Sequence, residues 1–335
     1  MKVNNALKVT VVCSQLLLAA SVFAAESKSA DVFYYNLTDS FIANLDKILT
    51  QEGSEQGINL KKYNAADDAY AQSETLDIAL ADKKDTPLLI NLVDSSYAGE
   101  FLASLPKDTT RQIIFFNRNV SDAALASYDN AWFVGTSPRE SGRYQAEILV
   151  SYLKAHPDYD KNKNGVLDLV MLKGEQTHLD AVLRTQEVLK VLNEQGIKYK
   201  VVFSANANWQ FQKGFDFMDQ AVSSLTFNNI EAVVCNNDAM AIGAITDLNQ
   251  YGYNLEDANK YIPVLGIDAI PEARKAVEEG RMLGTVCNDA TKLSEVLVTM
   301  VKLDTKDSEE ISKAIGLPVL DKRISIPYHK ICNAQ

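Results

Sequence analysis

Residues 160–184 read DKNKNGVLDLVMLKGEQTHLDAVLR, an oxygen-rich loop, a short apolar run and a cluster of hydrogen-bonding side chains set end to end. In Asp160-x-Asn162-x-Asn164-Gly165-x-x-Asp168, side-chain oxygens stand at positions 1, 3, 5 and 9 and a glycine at 6, the opening part of an EF-hand calcium loop. The glycine permits the sharp turn that points alternate oxygens at one centre, and the Val166 carbonyl can serve at position 7. Position 12, where a bidentate glutamate belongs, is Met171. Either a carboxylate arrives from elsewhere in the chain, or this is a polar turn held by Asx hydrogen bonds.

A second group of side chains has a different chemistry. Asp39, Asp180 and Asp268 accept hydrogen bonds, Asn117, Asn237 and Asn288 donate and accept, and Arg184, His178, Phe41 and Trp209 complete the set. Such an inventory suits a neutral polyhydroxylated molecule, each hydroxyl donating to a carboxylate or amide carbonyl and accepting from an amide or guanidinium N–H. The two aromatic rings can cover the C–H faces of a sugar ring. Asp180 and Arg184, four apart at the start of a helical pattern, share one face. Taken singly, each residue has a plainer reading: His178 a satisfied loop histidine, Trp209 a packing residue at a helix start, Asp180, Asp268 and Asn288 helix caps. Asp39 and Asp268 could also serve as acid and base on a glycoside. Few titratable groups, many amides and no G-x-S-x-G, H-E-x-x-H or phosphate loop favour holding over reacting.

These residues need a scaffold, and the pattern supplies one. Short β-branched and aromatic runs at 32–37, 58–63, 87–92 and 112–116 alternate with amphipathic stretches near 41–56, 67–83 and 96–104. The alternation resumes with strands expected near 166–172, 199–203, 231–235, 262–267 and 283–286. Repeated βα units predict an α/β fold of doubly wound parallel sheets covered on both faces. Nearly all the polar candidates fall at or just past carboxyl ends of these strands, where open α/β sheets bind ligands. The absence of G-x-G-x-x-G and G-K-[ST] turns argues against nucleotides.

The first 24 residues carry Lys2 and Lys8, an apolar run from Val9 to Ala20 and Val22-Phe23-Ala24, the pattern of a cleaved secretory signal peptide. Export to the periplasm follows as an expectation. Removing that segment takes the net charge from −11 to −11 − 2 = −13, with no basic footprint for nucleic acid. Cys235, Cys287 and Cys332 remain, an odd number, and Cys235 and Cys287 end apolar runs as small buried hydrophobes do. A mature chain of this length predicts two domains.

Several segments carry a resemblance: Asn91–Gly99 (NLVDSSYAG), Ile114–Asn117 (IFFN), Val134–Gly142 (VGTSPRESG), Leu172–Glu175 (LKGE), Asn236–Ala241 (NNDAMA), Leu265–Glu272 (LGIDAIPE) and Gly284–Asp289 (GTVCND). They resemble the periplasmic D-galactose/D-glucose-binding proteins, solute-binding components of sugar ABC importers, over essentially the whole mature chain. The resemblance implies a two-lobed Venus flytrap of periplasmic binding protein type I. Its N-terminal lobe would comprise 25–136 and 289–314, its C-terminal lobe 137–288 and 315–335, with a three-segment hinge. It implies sugar contacts at Asp39, Phe41, Asn117, His178, Asp180, Arg184, Trp209, Asn237, Asp268 and Asn288. Phe41 and Trp209 would sandwich the ring, and Asp39 and Asn117 would take the 4-hydroxyl of either epimer. It also implies one structural Ca2+ held by Asp160, Asn162, Asn164, Val166 and Asp168, with Glu231 as the missing carboxylate. Asn164 stands where the family usually has an aspartate and Asp168 where it has an amide, so Asp160, Asp168 and Glu231 still supply three charges. The loop around His178 lacks the family's proline and glycine. Implied partners are D-galactose or D-glucose, an ABC permease and a chemoreceptor, with the protein working as a monomer.

Overall fold

A computed structural model describes residues 28–82 and 85–332; the signal-peptide reading lies outside these residues. Strands β1 (Lys28–Tyr34), β2 (Ile58–Asn64), β3 (Leu88–Ile90), β4 (Ile113–Phe116) and β5 (Ala131–Gly135) alternate with helices α1 (Ser40–Glu55), α2 (Ala69–Ala81), α3 (Ala98–Ala103) and α4 (Asp122–Ala126). Helix α5 (Pro138–Ala155) opens the second half. Strands β6 (Leu167–Lys173), β7 (Tyr199–Asn206), β8 (Ala232–Cys235), β9 (Val264–Leu265) and β10 (Gly284–Cys287) follow, separated by α6 (Leu179–Glu194), α7 (Phe211–Ser224), α8 (Asp238–Gln250) and α9 (Pro271–Glu278). The chain then returns through α10 (Ala290–Leu303), α11 (Ser308–Ile315), β11 (Val319–Leu320), β12 (Arg323–Ser325) and β13 (His329–Cys332).

Among the described residues the strands form two sheets, ordered β11-β12-β5-β4-β3-β1-β2 and β13-β10-β9-β8-β6-β7. Each sheet is parallel apart from one antiparallel edge pair, β11 with β12 and β10 with β13. The doubly wound α/β expectation therefore holds, with antiparallel edges added. Strand β5 was not among the expected strands.

Burial on both sheet faces explains the unbroken apolar runs. Along β4, Ile114 and Phe116 join a core with Trp132 and residues of α1 and α10, while Ile113 and Phe115 enter a separate core with Phe101 and Leu125. Strand β6 does the same in the second lobe, Val170 and Leu172 packing one way and Leu169 and Met171 the other. Each such side chain, fully removed from water, contributes about 1.5–3 kcal/mol before entropy costs. Cys235 and Cys287 are buried and free, as their apolar surroundings suggested.

The expected lobe boundary at 314/315 differs from the strand pairing. Arg323–Ser325 pairs with Phe133–Gly135 of the N-terminal sheet, and Ile324 and Ile315 pack in the N-terminal core. The chain thus crosses between sheets at 136–137, 288–289 and 326–328. Strands of two and three residues are too short to show periodicity in sequence, which is why the third crossing fell early.

Candidate functional site

The site is built from the carboxyl ends of strands in both lobes. In the N-terminal lobe β1 runs into Tyr35 and Asp39, and β4 ends at Asn117 and Arg118. Asp39 caps α1, its Oδ1 accepting from the Ile42 N–H at 2.9 Å and its Oδ2 from the Tyr35 hydroxyl at 2.8 Å. Asn117 takes the left-handed backbone conformation, φ 63°, which turns the chain at the strand end, and its Oδ1 accepts from Asn91 Nδ2 at 3.2 Å.

The C-terminal lobe supplies the rest. His178 caps α6, its Nδ1 accepting from the Asp180 N–H at 3.2 Å, which leaves the proton of the neutral ring on Nε2. Burial, with Arg118 and Arg184 nearby, lowers its pKa to about 3, so the ring is neutral across the physiological range. The cap is thus His178, which frees Asp180 from the capping role its type allowed. Trp209, after β7, meets His178 edge to face at 5.3 Å. Asn237 caps α8 through Oδ1 and donates from Nδ2 to the Trp209 carbonyl at 3.1 Å. Asp268 follows β9, and Asn288, just past β10, donates to its Oδ1 at 3.3 Å.

Arg184 is anchored at the hinge. Its Nη1 donates to the Asn236 carbonyl at 2.7 Å and its Nη2 to the Tyr328 hydroxyl at 3.1 Å. Tyr328 in turn lies 2.7 Å from Thr136 Oγ1, so two of the three crossings meet at this arginine.

Asp39, Phe41, Asn117, His178, Asp180, Arg184, Trp209, Asn237 and Asp268 line one cavity between the lobes, together with Tyr35, Ile42 and Arg118. Asn288 does not line it and acts through Asp268. Sequence reasoning missed Tyr35, Ile42 and Arg118, although Arg118 directly follows Asn117 at a strand end and the same positional argument reaches it. It also missed Tyr328, which lies on a crossing with no motif.

The electrostatics favour a ligand that donates hydrogen bonds. Burial pushes the carboxyls of Asp39, Asp180 and Asp268 above their usual range, Asp268 furthest, with nearby arginines pulling the other way. Asp180 Oδ1 and Arg184 Nε are buried with no hydrogen-bond partner. Leaving such groups unpaired costs about 1–3 kcal/mol each, which ligand hydroxyls can recover.

Away from the cleft, the 160–168 loop converges on Asp168. Asn162 and Asn164 donate from Nδ2 to Asp168 Oδ2 at 2.7 and 3.0 Å, and Asp160 accepts from the Asn164 and Gly165 N–H groups at 3.1 and 2.8 Å. Glu231 does arrive from the distant strand, accepting from the Lys161 N–H at 2.6 Å and the Asp168 N–H at 2.9 Å. Among the described residues no three carboxylate, imidazole or thiol groups come together as a ready metal cluster. The oxygen-bearing side chains needed for a hard cation are nonetheless gathered there, and turning the two amides would exchange nitrogen for oxygen.

Residues 30–304 match the family described as periplasmic binding protein domain. The chain belongs to the periplasmic binding protein family. This periplasmic binding protein is 32% identical over 311 residues to the D-galactose/methyl-galactoside binding periplasmic protein MglB of Haemophilus influenzae, covering 92% of this chain and 91% of that one. It is 24% identical to the D-allose-binding periplasmic protein of Escherichia coli, over 90% of each chain. An ABC transporter solute binding protein from Bacillus halodurans, solved with bound myo-inositol, superposes with a TM-score of 0.72 at 26% identity, over 91% of this chain and 94% of that one. The relatives named here are sugar- or solute-binding proteins by description rather than enzymes. Among the described residues no helix is long and apolar enough to cross a membrane.

Proposed function

We propose that the cleft captures D-galactose or D-glucose and, closed around it, hands it to the permease of an ABC sugar importer. One observation carries this reading: nine of the ten positions at which the resemblance puts hexose contacts line a single interlobe cavity. Asp180 and Arg184 there hold unpaired polar atoms ready for hydroxyls. Asp39 and Asn117, from the N-terminal lobe, would take the 4-hydroxyl, and Asp180, Arg184, Asn237 and Asp268 the others, with Asn288 holding Asp268. Because the contacts come from both lobes, sugar makes its full set only when they close, so binding shifts the protein toward the closed form by its differential affinity. The permease reads that closed shape as it meets a monomer, and a chemoreceptor can read the same face.

The test is calorimetric titration of the refolded mature chain with D-galactose, D-glucose, D-allose, myo-inositol and ribose. Tight one-to-one binding of the two first hexoses, with ribose silent, supports the assignment. Tight binding of allose or inositol alone would move the ligand to that sugar, and silence with all five would sink the sugar assignment for this cleft.

We propose further that Asp160, Asn162, Asn164, the Val166 carbonyl, Asp168 and Glu231 hold one Ca2+, which would tie the loop to β8 and stabilise the C-terminal lobe. Calcium at about 100 times its Kd should add about 2.7 kcal/mol of stability. In Glu231→Gln the calcium-dependent rise in Tm is expected to vanish. A wild-type Tm indifferent to both calcium and chelator would remove the ion from the account.

A further inference from the structure

Arg118 belongs to the N-terminal lobe and Glu175, in the β6–α6 loop, to the C-terminal lobe. Their side chains meet across the cleft, Nη2 to Oε1 at 2.7 Å and Nη1 to Oε2 at 3.4 Å. Among the ion pairs of the described residues, this one joins the two lobes.

The arginine is prepared for this from its own side. Nη1 donates to the Val93 carbonyl at 2.7 Å, and the guanidinium lies 3.6 Å from the centroid of the Tyr35 ring. The Arg118 side chain is only 4% exposed and that of Glu175 33%, so the pair spans the edge of the buried site. Arg118 lines both the inner cavity and a second pocket just outside it, which Glu175 also lines. The pair therefore sits at the boundary between the site and the outer part of the cleft.

Both ends reach the candidate sugar contacts. The Tyr35 ring under Arg118 carries the hydroxyl that bonds Asp39. The Glu175 carbonyl accepts from the His178 N–H at 3.1 Å, so Glu175 belongs to the turn that carries His178. A contact from the opposite lobe therefore restrains this turn.

We propose that Arg118 and Glu175 form an interlobe latch, made only when the lobes meet, which slows escape of the sugar and positions the His178 loop. The latch rests on capture of a hexose in this cleft. Opening separates the two charges and lets water reach Glu175 and the arginine, so the latch acts on the closed state and its exit rate. Entry proceeds from the open form, with which the latched closed form exchanges in the sugar-free protein. Arg118 is thus a positioning residue whose mark is a split between the two rates.

Stopped-flow tryptophan fluorescence with D-galactose, on wild type, Arg118→Gln, Glu175→Gln and the double variant, provides the test. Dissociation should be about tenfold faster in each single variant, with association within about twofold of wild type. The double variant should be no worse than the worse single, because one contact is lost once. Small-angle scattering of the sugar-free protein gives a second readout, the Glu175→Gln variant showing the larger radius of gyration. Unchanged dissociation and unchanged radius in both single variants would overturn the latch, as would effects that add in the double variant. If wild type takes up no hexose, the sugar assignment falls by itself, and scattering alone decides the latch.

Discussion

Asp180→Asn is expected to lower hexose affinity about 100- to 1,000-fold while leaving the Tm at or above the wild-type value. Two charge-assisted acceptors become one neutral acceptor and a misplaced donor, and hydrogen bonds to charged groups are worth about 1.5–3 kcal/mol each. The fold should not suffer, since Asp180 Oδ1 has no protein partner and burial already disfavours the ionised carboxyl. Calorimetry and thermal unfolding together check this. A large loss of both affinity and Tm would make Asp180 a structural residue, and unchanged affinity would remove it from the site. The sign of the pH dependence follows from the same burial. Asp39, Asp180 and Asp268 have raised pKa values, so ionised acceptors are lost earlier on acidification than at an exposed carboxylate. Affinity should therefore fall as pH drops through those raised values, with neutral His178 taking no part.

Gly174→Ala should weaken binding about 10- to 100-fold without touching any ligand contact directly. A Cβ at this position would overlap the six-membered ring of Trp209, and a rigid indole cannot yield by a small rotation. Overpacking of this kind costs about 1–3 kcal/mol, here taken from the cavity wall. Trp209 would also leave its edge contact with His178 and its place 5.7 Å from the Arg184 guanidinium. The chain has two tryptophans, and Trp132 is buried in the N-terminal core, so a sugar-induced change in emission reports Trp209. The variant should lose much of that change along with affinity. Wild-type affinity in Gly174→Ala would show that the indole does not need to stand where it does.

Much of this site was legible because it obeys a positional rule. Residues past β1, β4, β6, β7, β8 and β9 sit at the carboxyl edges of parallel strands, and the apolar runs that mark such strands are easy to see when both faces are buried. Rules about single residue types did less well. Asp180 suits a helix cap, yet His178 holds that position, and the choice depends on how the loop meets β6. Arg118 lay within reach of the positional rule, but its pairing with Glu175, 57 residues away and in the other lobe, did not. Tyr328 was invisible for the same reason, its role being set by Arg184 and Thr136. The third crossing was misplaced because β11 and β12 carry too few residues to show a period. The calcium loop has an intermediate character: its local spacing is plain, while Glu231 comes from a strand 63 residues beyond Asp168.

The pairing of β12 with β5 has a consequence for how the protein is made. Phe133 lies beside Arg323, so the first lobe cannot finish its sheet until nearly the last of the chain is available. β13 likewise closes the second sheet against β10 only at the very end. Contacts this distant in sequence slow folding. The first lobe should therefore fold as one unit with the distant segment that carries β12, more slowly than a lobe built from one continuous run of chain.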